Sequence, residues 1–492
     1  MGDLAPADFG RDLIVRVGRR EFLKAEQRGD VGVALAERLA QYALSTKYQK
    51  LDERTVREMK VRIVDALGCA IGAFAEEPVK IARRSVGALG RRGKSTILGT
   101  SSSSSPDLAT FVNGLMVRYF DFNDTYLSKE PAHPSDNLAP CFAMGEAEGS
   151  TGKELLAAAV AAYEIQCRLC DAADIRHRGW DHVNYGLVSS SLAASKLMGL
   201  DAARATHSVN IALNSHLAMR QVRTGELSMW KGASFANAAR NGVFAAILAR
   251  DGMTGPAPIF EGEMGFFKQV SGPFELDVEG FGGRGGVYKV NETYVKFWPA
   301  EYHAQSAIWA ALEVRKRIGD PKRIRSVLIQ THEAGYAILG KDKEKWKPST
   351  KETADHSLPY IVGMALLNGK IDNSTYSGTN LRSKANTEFV GSVKVAEDGS
   401  LTSKYPEDGM PNRVTAILRG GQRISAQVDI PKGHPRNPMS KQDVEAKFLQ
   451  LALGQIGARA ARELLARLWS LEDERDLVGV IDLLRVPRGS NA

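Results

Sequence analysis

Residues 151–165, Thr-Gly-Lys-Glu-Leu-Leu-Ala-Ala-Ala-Val-Ala-Ala-Tyr-Glu-Ile, show most clearly which class of fold this chain adopts. Thr151 and Glu154 have the spacing of a capping box, in which each side chain binds the backbone N–H of the other at a helix start. The alanine-rich apolar run that follows predicts a helix, since small side chains let neighbouring helices approach closely. The same texture extends over about 31–264, so we predict a compact helical bundle there.

Helix signals continue on both sides of this segment. Ser105 is a candidate N-cap, and Pro106 follows it at the first helical position. This pattern predicts a helix that runs from there toward Phe120. A second helix is predicted over 233–250, where Gly252 ends the periodic pattern.

The sequence changes character after Gly265. The glycine-rich stretch 280–286 (GFGGRGG) is a candidate flexible hinge. Beyond it helix and strand patterns mix, and the chain then returns to helix. The predicted elements are a helix at 303–318, strands at 324–331, 390–395, 413–418 and 422–430, and helix again over 449–484.

This order predicts a mainly α fold, in which the last helices can pack back on the first ones. The α+β segment is then an insertion or a lid. The predicted divisions are an N-terminal extension at 1–30, a helical domain at 31–288, an α+β lid domain at 289–436 and returning C-terminal helices at 437–492.

Composition excludes several classes of protein. The chain has 492 residues, with 43% hydrophobic and 25% charged residues, which is ordinary globular usage and not that of a disordered chain. Four cysteines are too few for a disulfide scaffold, and no apolar run reaches transmembrane length. We therefore expect a cytoplasmic protein that spans no membrane. The net charge of +8 is mild and its basic residues are dispersed, so no nucleic-acid partner is predicted.

The densest polar cluster begins at Asp121 and ends near His133. Asp121 and Thr125 are four residues apart and share a face if the preceding helix persists. His133 follows on a proline-bounded loop, where functional groups often lie. The alternative is a solvated loop that only caps the next helix.

Several cations lie at or just before predicted helix starts. They are His133, His182, Lys231 and His303. A cation is unfavourable there because the helix dipole is already positive at its N-terminus. A bound anion would offset that cost, so the pattern favours an anion site over chance placement.

Metal binding has little support in the sequence. Cys167 and Cys170 form a CxxC within a helical pattern, and with His177 and His182 they faintly resemble a zinc site. Two cysteines on a helix are more often small buried side chains. No GxSxG, HExxH or Walker A pattern occurs, so we predict no metal ligands and no cofactor.

Seven blocks of sequence resemble one known family, MmgE/PrpD, over about 65–440. They are Asp121-Phe-Asn-Asp-Thr-Tyr-Leu-Ser-Lys-Glu-Pro-Ala-His133-Pro-Ser-Asp, Tyr163-Glu-Ile-Gln-Cys-Arg-Leu-Cys-Asp-Ala-Ala, Arg178-Gly-Trp-Asp-His182-Val-Asn-Tyr-Gly, Lys231-Gly-Ala-Ser, Lys296-Phe-Trp-Pro-Ala-Glu-Tyr-His303-Ala-Gln-Ser, Ala354-Asp-His356-Ser-Leu-Pro-Tyr360 and Pro431-Lys-Gly-His434-Pro-Arg-Asn-Pro. The resemblance implies a large all-helical domain built from both ends of the chain and a smaller α+β lid. It also implies a homodimer that needs no metal.

The resemblance implies an activity as well, the dehydration of 2-methylcitrate by general acid/base catalysis in propionate catabolism. The segment Lys129-Glu-Pro looks more like the dehydratase branch than the decarboxylase branch. Citrate dehydration and cis-aconitate decarboxylation remain alternatives on the same fold. A metal-dependent lyase and a non-catalytic carboxylate-binding protein are alternatives of other classes.

Nine residues form the predicted site for a small tricarboxylate. The predicted catalytic residues are Asp121, His133, His182, Lys231 and Tyr360, and the predicted substrate-binding residues are Thr125, Lys296, His303 and His356. Histidine titrates near neutral pH, so we expect His182 to act as base or acid. Lys231 and Lys296 are expected to hold carboxylates and to stabilise the charge that develops in the transition state.

Overall fold

The computed structural model describes residues 33–90 and 92–487 of the chain. The predicted N-terminal extension at 1–30 lies outside these residues. Helices account for 59% of the structure and strands for 9%, which confirms the mainly α fold. Within the described part of the chain, no helix is both long enough and apolar enough to cross a membrane.

The first half of the described chain is a bundle of helices, as predicted. Its helices are Leu35–Ser45, Glu53–Gly72, Glu77–Leu89, Pro106–Arg118, Leu138–Glu148, Gly152–Ala172, Val183–Leu197, Ala202–Ser215 and Trp230–Arg250. The capping box is present, because the Thr151 hydroxyl accepts from the Glu154 N–H and the Glu154 carboxylate accepts from the Thr151 N–H. A short antiparallel hairpin lies beside the bundle. Its strands, β1 (Ser95–Thr96) and β2 (Ser103–Ser104), have two residues each.

The C-terminal helices, Lys441–Trp469 and Val478–Asp482, return to this bundle. They share a hydrophobic core with Glu53–Gly72. Gly68 allows the close approach, since a Cβ atom there would lie 3.1 Å from the ring of Phe448. Helices from the early and the late parts of the described chain therefore share one core.

The α+β region contains a four-stranded sheet of β3 (Ile324–Thr331), β4 (Val393–Glu397), β5 (Asn412–Leu418) and β6 (Arg423–Val428). The strand order is β4-β3-β5-β6, with β3 and β4 parallel and the other pairs antiparallel. Its helices are Gln305–Ile318, Glu333–Leu339, Lys351–Ala354, Leu358–Asn368, Gly378–Leu381, Lys384–Gly391 and Gly399–Thr402. Apolar residues of the sheet and of the two longest helices form a separate core.

Two predicted element boundaries need correction. The strand predicted at 390–395 begins only at Val393, because Val390 belongs to the helix Lys384–Gly391. The helix predicted from residue 233 begins at Trp230, which places Lys231 inside its first turn. Such shifts arise because tertiary packing decides where a helix starts.

The glycine-rich stretch 280–286 is packed in place and is not a loose hinge. The N–H of Gly282 donates to the Glu164 carboxylate at 2.8 Å, and its carbonyl accepts from the Tyr42 hydroxyl at 2.9 Å. Gly283 has a φ of +78°, and a Cβ there would lie 2.2 Å from the hydroxyl oxygen of Tyr288. Glycine serves close packing at this position, which corrects the predicted hinge.

Candidate active site

A cavity of about 260 Å³ lies between the helical domain and the α+β region. Eight of the nine predicted site residues line it, although they come from distant parts of the sequence. These residues are Asp121, Thr125, His133, His182, Lys231, Lys296, His303 and His356. The structure thus brings the predicted constellation together in one place.

The helix starts singled out in the sequence also meet here. His182 immediately precedes the helix Val183–Leu197, and Lys231 lies in the first turn of Trp230–Arg250. His133 precedes a short 3₁₀ turn that leads into Leu138–Glu148, and His303 lies in a similar turn before Gln305–Ile318. Helix N-termini favour bound anions. Their convergence on one cavity supports the prediction of an anion site.

Asp121 is the centre of a buried network of ion pairs. Its Oδ1 accepts from Lys296 Nζ at 2.9 Å and from the guanidinium of Arg118, and its Oδ2 lies 3.5 Å from Lys231 Nζ. Burial by itself would raise the pKa of Asp121, but these three cations hold it well below its usual range. Its φ of +51° is rare for a residue with a side chain. The carboxylate is therefore a fixed anion that orients the cations around it.

Lys231 connects the two sides of the cavity. Its Nζ lies 3.5 Å from Asp121 Oδ2, 3.7 Å from Asp355 Oδ1 and 3.2 Å from His356 Nδ1. Burial lowers the pKa of Lys231, while the two carboxylates oppose this effect. Asp355 itself pairs with Lys351 at 2.8 Å.

His182 has the arrangement of a general base. Its Nδ1 lies 2.9 Å from Asp181 Oδ1, and Asp181 is held in turn by Arg223 at 3.0 Å and by the Ser234 hydroxyl at 3.0 Å. Since a carboxylate only accepts, Nδ1 carries the hydrogen and Nε2 has a lone pair. This Nε2 has no hydrogen-bond partner among the residues that the structure describes. Burial lowers the pKa of His182 to about 4, so the ring is neutral at neutral pH.

His133 is bound at both ring nitrogens. Nδ1 lies 2.7 Å from the carbonyl oxygen of Asp124, and Nε2 lies 2.9 Å from Arg118 Nη2. The carbonyl fixes the hydrogen on Nδ1, so Nε2 accepts from the guanidinium. Burial and the nearby guanidinium of Arg118 hold the pKa of His133 well below its usual range. The geometry therefore suits His133 to position Arg118. The centroids of the His133 and His182 rings are 5.9 Å apart.

The α+β wall of the cavity carries two further histidines, each beside a carboxylate. His303 Nδ1 lies 2.8 Å from Glu301 Oε1, and His356 Nδ1 lies 2.6 Å from Asp355 Oδ1. On its other side, His303 Nε2 lies 3.3 Å from the Tyr405 hydroxyl. Burial is the largest effect on the pKa of His356, which it lowers.

Several further groups lie around the cavity to which the sequence analysis assigned no role. They are the cations Arg118, Arg176, Arg220 and Arg223, the carboxylates Asp181, Glu301 and Asp355, and the phenol of Tyr405. Asp181 and Asp355 directly precede predicted histidines, so their positions were a usable signal. Arg118 lies three residues before Asp121, and that spacing on a helix end was the corresponding signal. Nothing in the local sequence indicates Arg220 or Tyr405.

The charges that line the cavity are predominantly positive. Six cationic side chains face three carboxylates there, so the cations are in excess. Arg220, for example, makes no side-chain hydrogen bond or ion pair with the residues that the structure describes. Such a surplus in a recessed site attracts a small molecule with several negative charges.

Tyr360 is the predicted site residue that the structure does not bring to the cavity. Its hydroxyl donates to the backbone carbonyl of Thr375 at 2.8 Å, and its ring lies 6.4 Å from that of Tyr376. The Tyr360 hydroxyl thus makes its hydrogen bond inside the α+β core. A catalytic role for Tyr360 stays a prediction.

The residues of the CxxC pattern do not assemble into a zinc site. Cys167 and Cys170 are fully buried on the helix Gly152–Ala172, and burial raises the pKa of both thiols. The side chain of His177 is 77% exposed and pairs with Asp174. The cysteines therefore act as small buried side chains.

The chain is similar to known proteins along most of its length. Residues 37–279 match the family described as the MmgE/PrpD N-terminal domain, and residues 298–472 match the MmgE/PrpD C-terminal domain. The chain is 28% identical over 399 residues to a 2-methylcitrate dehydratase of Cupriavidus necator. The aligned stretch covers 76% of this chain and 81% of that protein. It is 28% identical over 406 residues to a 2-methylcitrate dehydratase of Escherichia coli (strain K12), with the same coverage. It is 24% identical over 477 residues to a cis-aconitate decarboxylase of Homo sapiens, covering 92% of this chain and 95% of that protein.

Proposed function

The chain belongs to the MmgE/PrpD family, and from this premise we propose that it is a carbon–oxygen lyase that dehydrates 2-methylcitrate to 2-methyl-cis-aconitate. One observation carries the proposal above all others. His182 lines a cavity rich in cationic side chains, and its Nε2 has no hydrogen-bond partner in the part of the chain that the structure describes. This combination suits the removal of a proton from a polyacid.

The cations bind the substrate and stabilise the charge that forms during the reaction. A tricarboxylate carries about three negative charges at neutral pH, and several fixed cations compensate them only where water is limited. Removing the proton next to a carboxylate moves further charge onto that carboxylate. One well-placed donor typically contributes about 3–4 kcal/mol to stabilising such a state. Lys231, Lys296, Arg118 and Arg220 are the candidates for this role.

His182 is the proposed base. Its pKa of about 4 keeps it neutral and able to accept a proton at neutral pH. The Asp181 carboxylate fixes the ring and stabilises the imidazolium that forms when Nε2 takes the proton. Asp121 does not take the proton in this scheme, because three cations already engage it.

We propose that protein cations, and no metal ion, supply the positive charge. Asp121, Asp355 and His356 have ligand atoms within 4.8 Å of one another and thus form a possible ion site. However, each carboxylate already pairs with a lysine, at 2.9 Å from Lys296 and at 2.8 Å from Lys351. An incoming ion would have to displace these partners. From the family we further propose a cytoplasmic homodimer that works in propionate catabolism.

The test is a substrate panel with the purified protein. 2-Methylcitrate, citrate, cis-aconitate and tartrate are each incubated with the enzyme, and alkene absorbance and CO₂ release are recorded. We expect alkene from 2-methylcitrate, with the same rate after treatment with a chelator. Alkene from citrate alone would show that citrate is the substrate, and CO₂ from cis-aconitate would indicate decarboxylation. No product from any of the acids would overturn the proposal.

A further inference from the structure

Tyr405 is a cavity residue for which the sequence gives no functional signal. It follows the short helix Gly399–Thr402 in the connection between β4 and β5. Its side chain lines the same cavity as His182, but from the α+β wall. Its hydroxyl lies 3.3 Å from His303 Nε2.

The neighbours of Tyr405 fix both its ring and its hydroxyl. The Glu301 carboxylate accepts from the His303 backbone N–H at 2.7 Å and from His303 Nδ1 at 2.8 Å, so His303 Nε2 is left as an acceptor toward the phenol. The ring of His332 stacks on that of Tyr405, with centroids 4.2 Å apart and planes inclined by 11°. Burial raises the pKa of Tyr405 to about 12, so the phenol carries its proton at neutral pH.

Dehydration also needs a proton donor. His182 cannot be that donor in the step in which it accepts a proton. The departing hydroxyl requires a proton while the base removes one from carbon. His182 is neutral and takes a proton, and His133 has both nitrogens bound. A phenol with a pKa of about 12 is still a stronger acid than water, for which the pKa is about 15.7. It can therefore protonate a hydroxyl that departs as water.

We propose that Tyr405 is a catalytic residue, the general acid that protonates the departing hydroxyl, with Glu301 and His303 as its positioning residues. This role rests on the proposed dehydratase function. The assignment places the base on the helical wall and the acid on the α+β wall of the cavity. It also gives a reason for the hydrogen-bonded series from Glu301 through His303 to Tyr405.

The step balances in atoms and charge. His182 Nε2 takes the proton from carbon, the electron pair of the C–H bond forms the C=C bond, and the C–O bond breaks toward oxygen. The leaving oxygen takes the phenolic proton and departs as water, which leaves a phenolate at Tyr405 and an imidazolium at His182. His182 releases its proton to solvent, and a proton from solvent returns to the phenolate through His303. One substrate molecule thus gives one alkene and one water.

The decisive experiment compares two leaving groups in the full-length enzyme. Tyr405→Phe removes only the hydroxyl, and its matched control is Tyr302→Phe, since Tyr302 is buried nearby and its hydroxyl has no partner among the described residues. Each protein is assayed with 2-methylcitrate and with an analogue in which fluoride replaces the departing hydroxyl. Fluoride leaves without first accepting a proton. A lost general acid therefore slows the release of water far more than that of fluoride.

We expect Tyr405→Phe to lower kcat for water release by about 10²–10⁴-fold. Its fluoride release should stay within about tenfold of that of the unchanged enzyme, and Tyr302→Phe should release both groups normally. Equal losses with both substrates would show a structural role, and unchanged water release would show no role; either result overturns the assignment and leaves the dehydratase function intact. If the unchanged enzyme releases neither group, the function itself is wrong and the assignment fails with it.

Discussion

The two walls of the cavity carry their polar groups in different ways. On the helical wall, Asp121 is locked among cations, including Arg118 and Lys231, by ion pairs that are almost fully buried. On the α+β wall, His303 and Tyr405 are joined by one long hydrogen bond. Breaking a buried ion pair is costly because it leaves an uncompensated charge behind, whereas a single hydrogen bond between neutral groups contributes much less. The contrast teaches that the helical wall fixes charge around Asp121 beside the proposed base, whereas the proposed acid on the α+β wall is held by a weaker contact.

The largest effect is expected from Asp121→Ala, which removes the anion at the centre of the helical wall. Three cations then lose a buried partner, so the free energy of unfolding should fall by about 3–5 kcal/mol, and turnover should be lost. Urea denaturation and a turnover assay measure the two effects. The control is Asp201→Ala, an exposed helix cap, which should cost about 1 kcal/mol. A similar small cost for both variants would show that the network does not hold the wall together.

His182→Gln tests the base on the same wall. The change removes the acceptor nitrogen while keeping a polar side chain of similar reach, so kcat should fall by about 10²–10⁴-fold. Steady-state kinetics measures kcat, and circular dichroism checks the fold. His177→Gln is the matched control because its ring is exposed, and it should leave kcat unchanged. If His182→Gln turns over at the normal rate, another group is the base.

Arg220→Ala tests whether a cation that forms no ion pair within the described part of the chain binds substrate. A hydrogen bond to a charged group contributes about 1.5–3 kcal/mol, so KM should rise roughly ten- to a hundredfold with little change in kcat. The dependence of KM on salt should become weaker. Arg204→Ala, on an exposed helix face, is the control. An unchanged KM would place the substrate carboxylates elsewhere in the cavity.

The smallest expected effect is on the acidic limb of the pH profile, which tests the protonation of His182. At neutral pH we expect no change in rate. His182 accepts a proton only when neutral, and it is neutral above its pKa of about 4. We therefore expect kcat/KM to rise with pH through about 4 and to stay flat through 6.5. Arg223 is one of the groups that lower this pKa, so Arg223→Gln should move the limb upward. A limb near 6.5 in the unchanged enzyme, with the fold intact by circular dichroism, would contradict the burial of His182.

Short-range signals predicted much of the fold. The capping box at Thr151 and the proline at position 106 mark helix starts because their hydrogen bonds and φ angles involve only neighbouring residues. Predictions were weaker where packing decides the outcome. The stretch 280–286 looks flexible in sequence, yet Gly282 and Gly283 are needed there because the side chain of Tyr288 approaches so closely.

The candidate site divides in the same way. Blocks of sequence around Asp121, His182 and Lys231 indicated which residues to consider, and the resemblance drew them into one set. The sequence could not indicate that Tyr360 turns into the α+β core, nor that Tyr405 turns into the cavity. Side-chain direction depends on contacts with segments far along the chain.

By itself, the sequence determined a mainly helical protein whose polar blocks belong together, because periodicity, caps and residue type are local properties of the chain. Only the tertiary structure decided which partners each group has. Asp121 meets Lys231 and Lys296 across 110 and 175 positions of sequence, and with Arg118 these cations keep its buried carboxylate charged. The free nitrogen of His182 and the phenol of Tyr405 likewise acquire their chemistry from burial and from neighbours that only folding supplies.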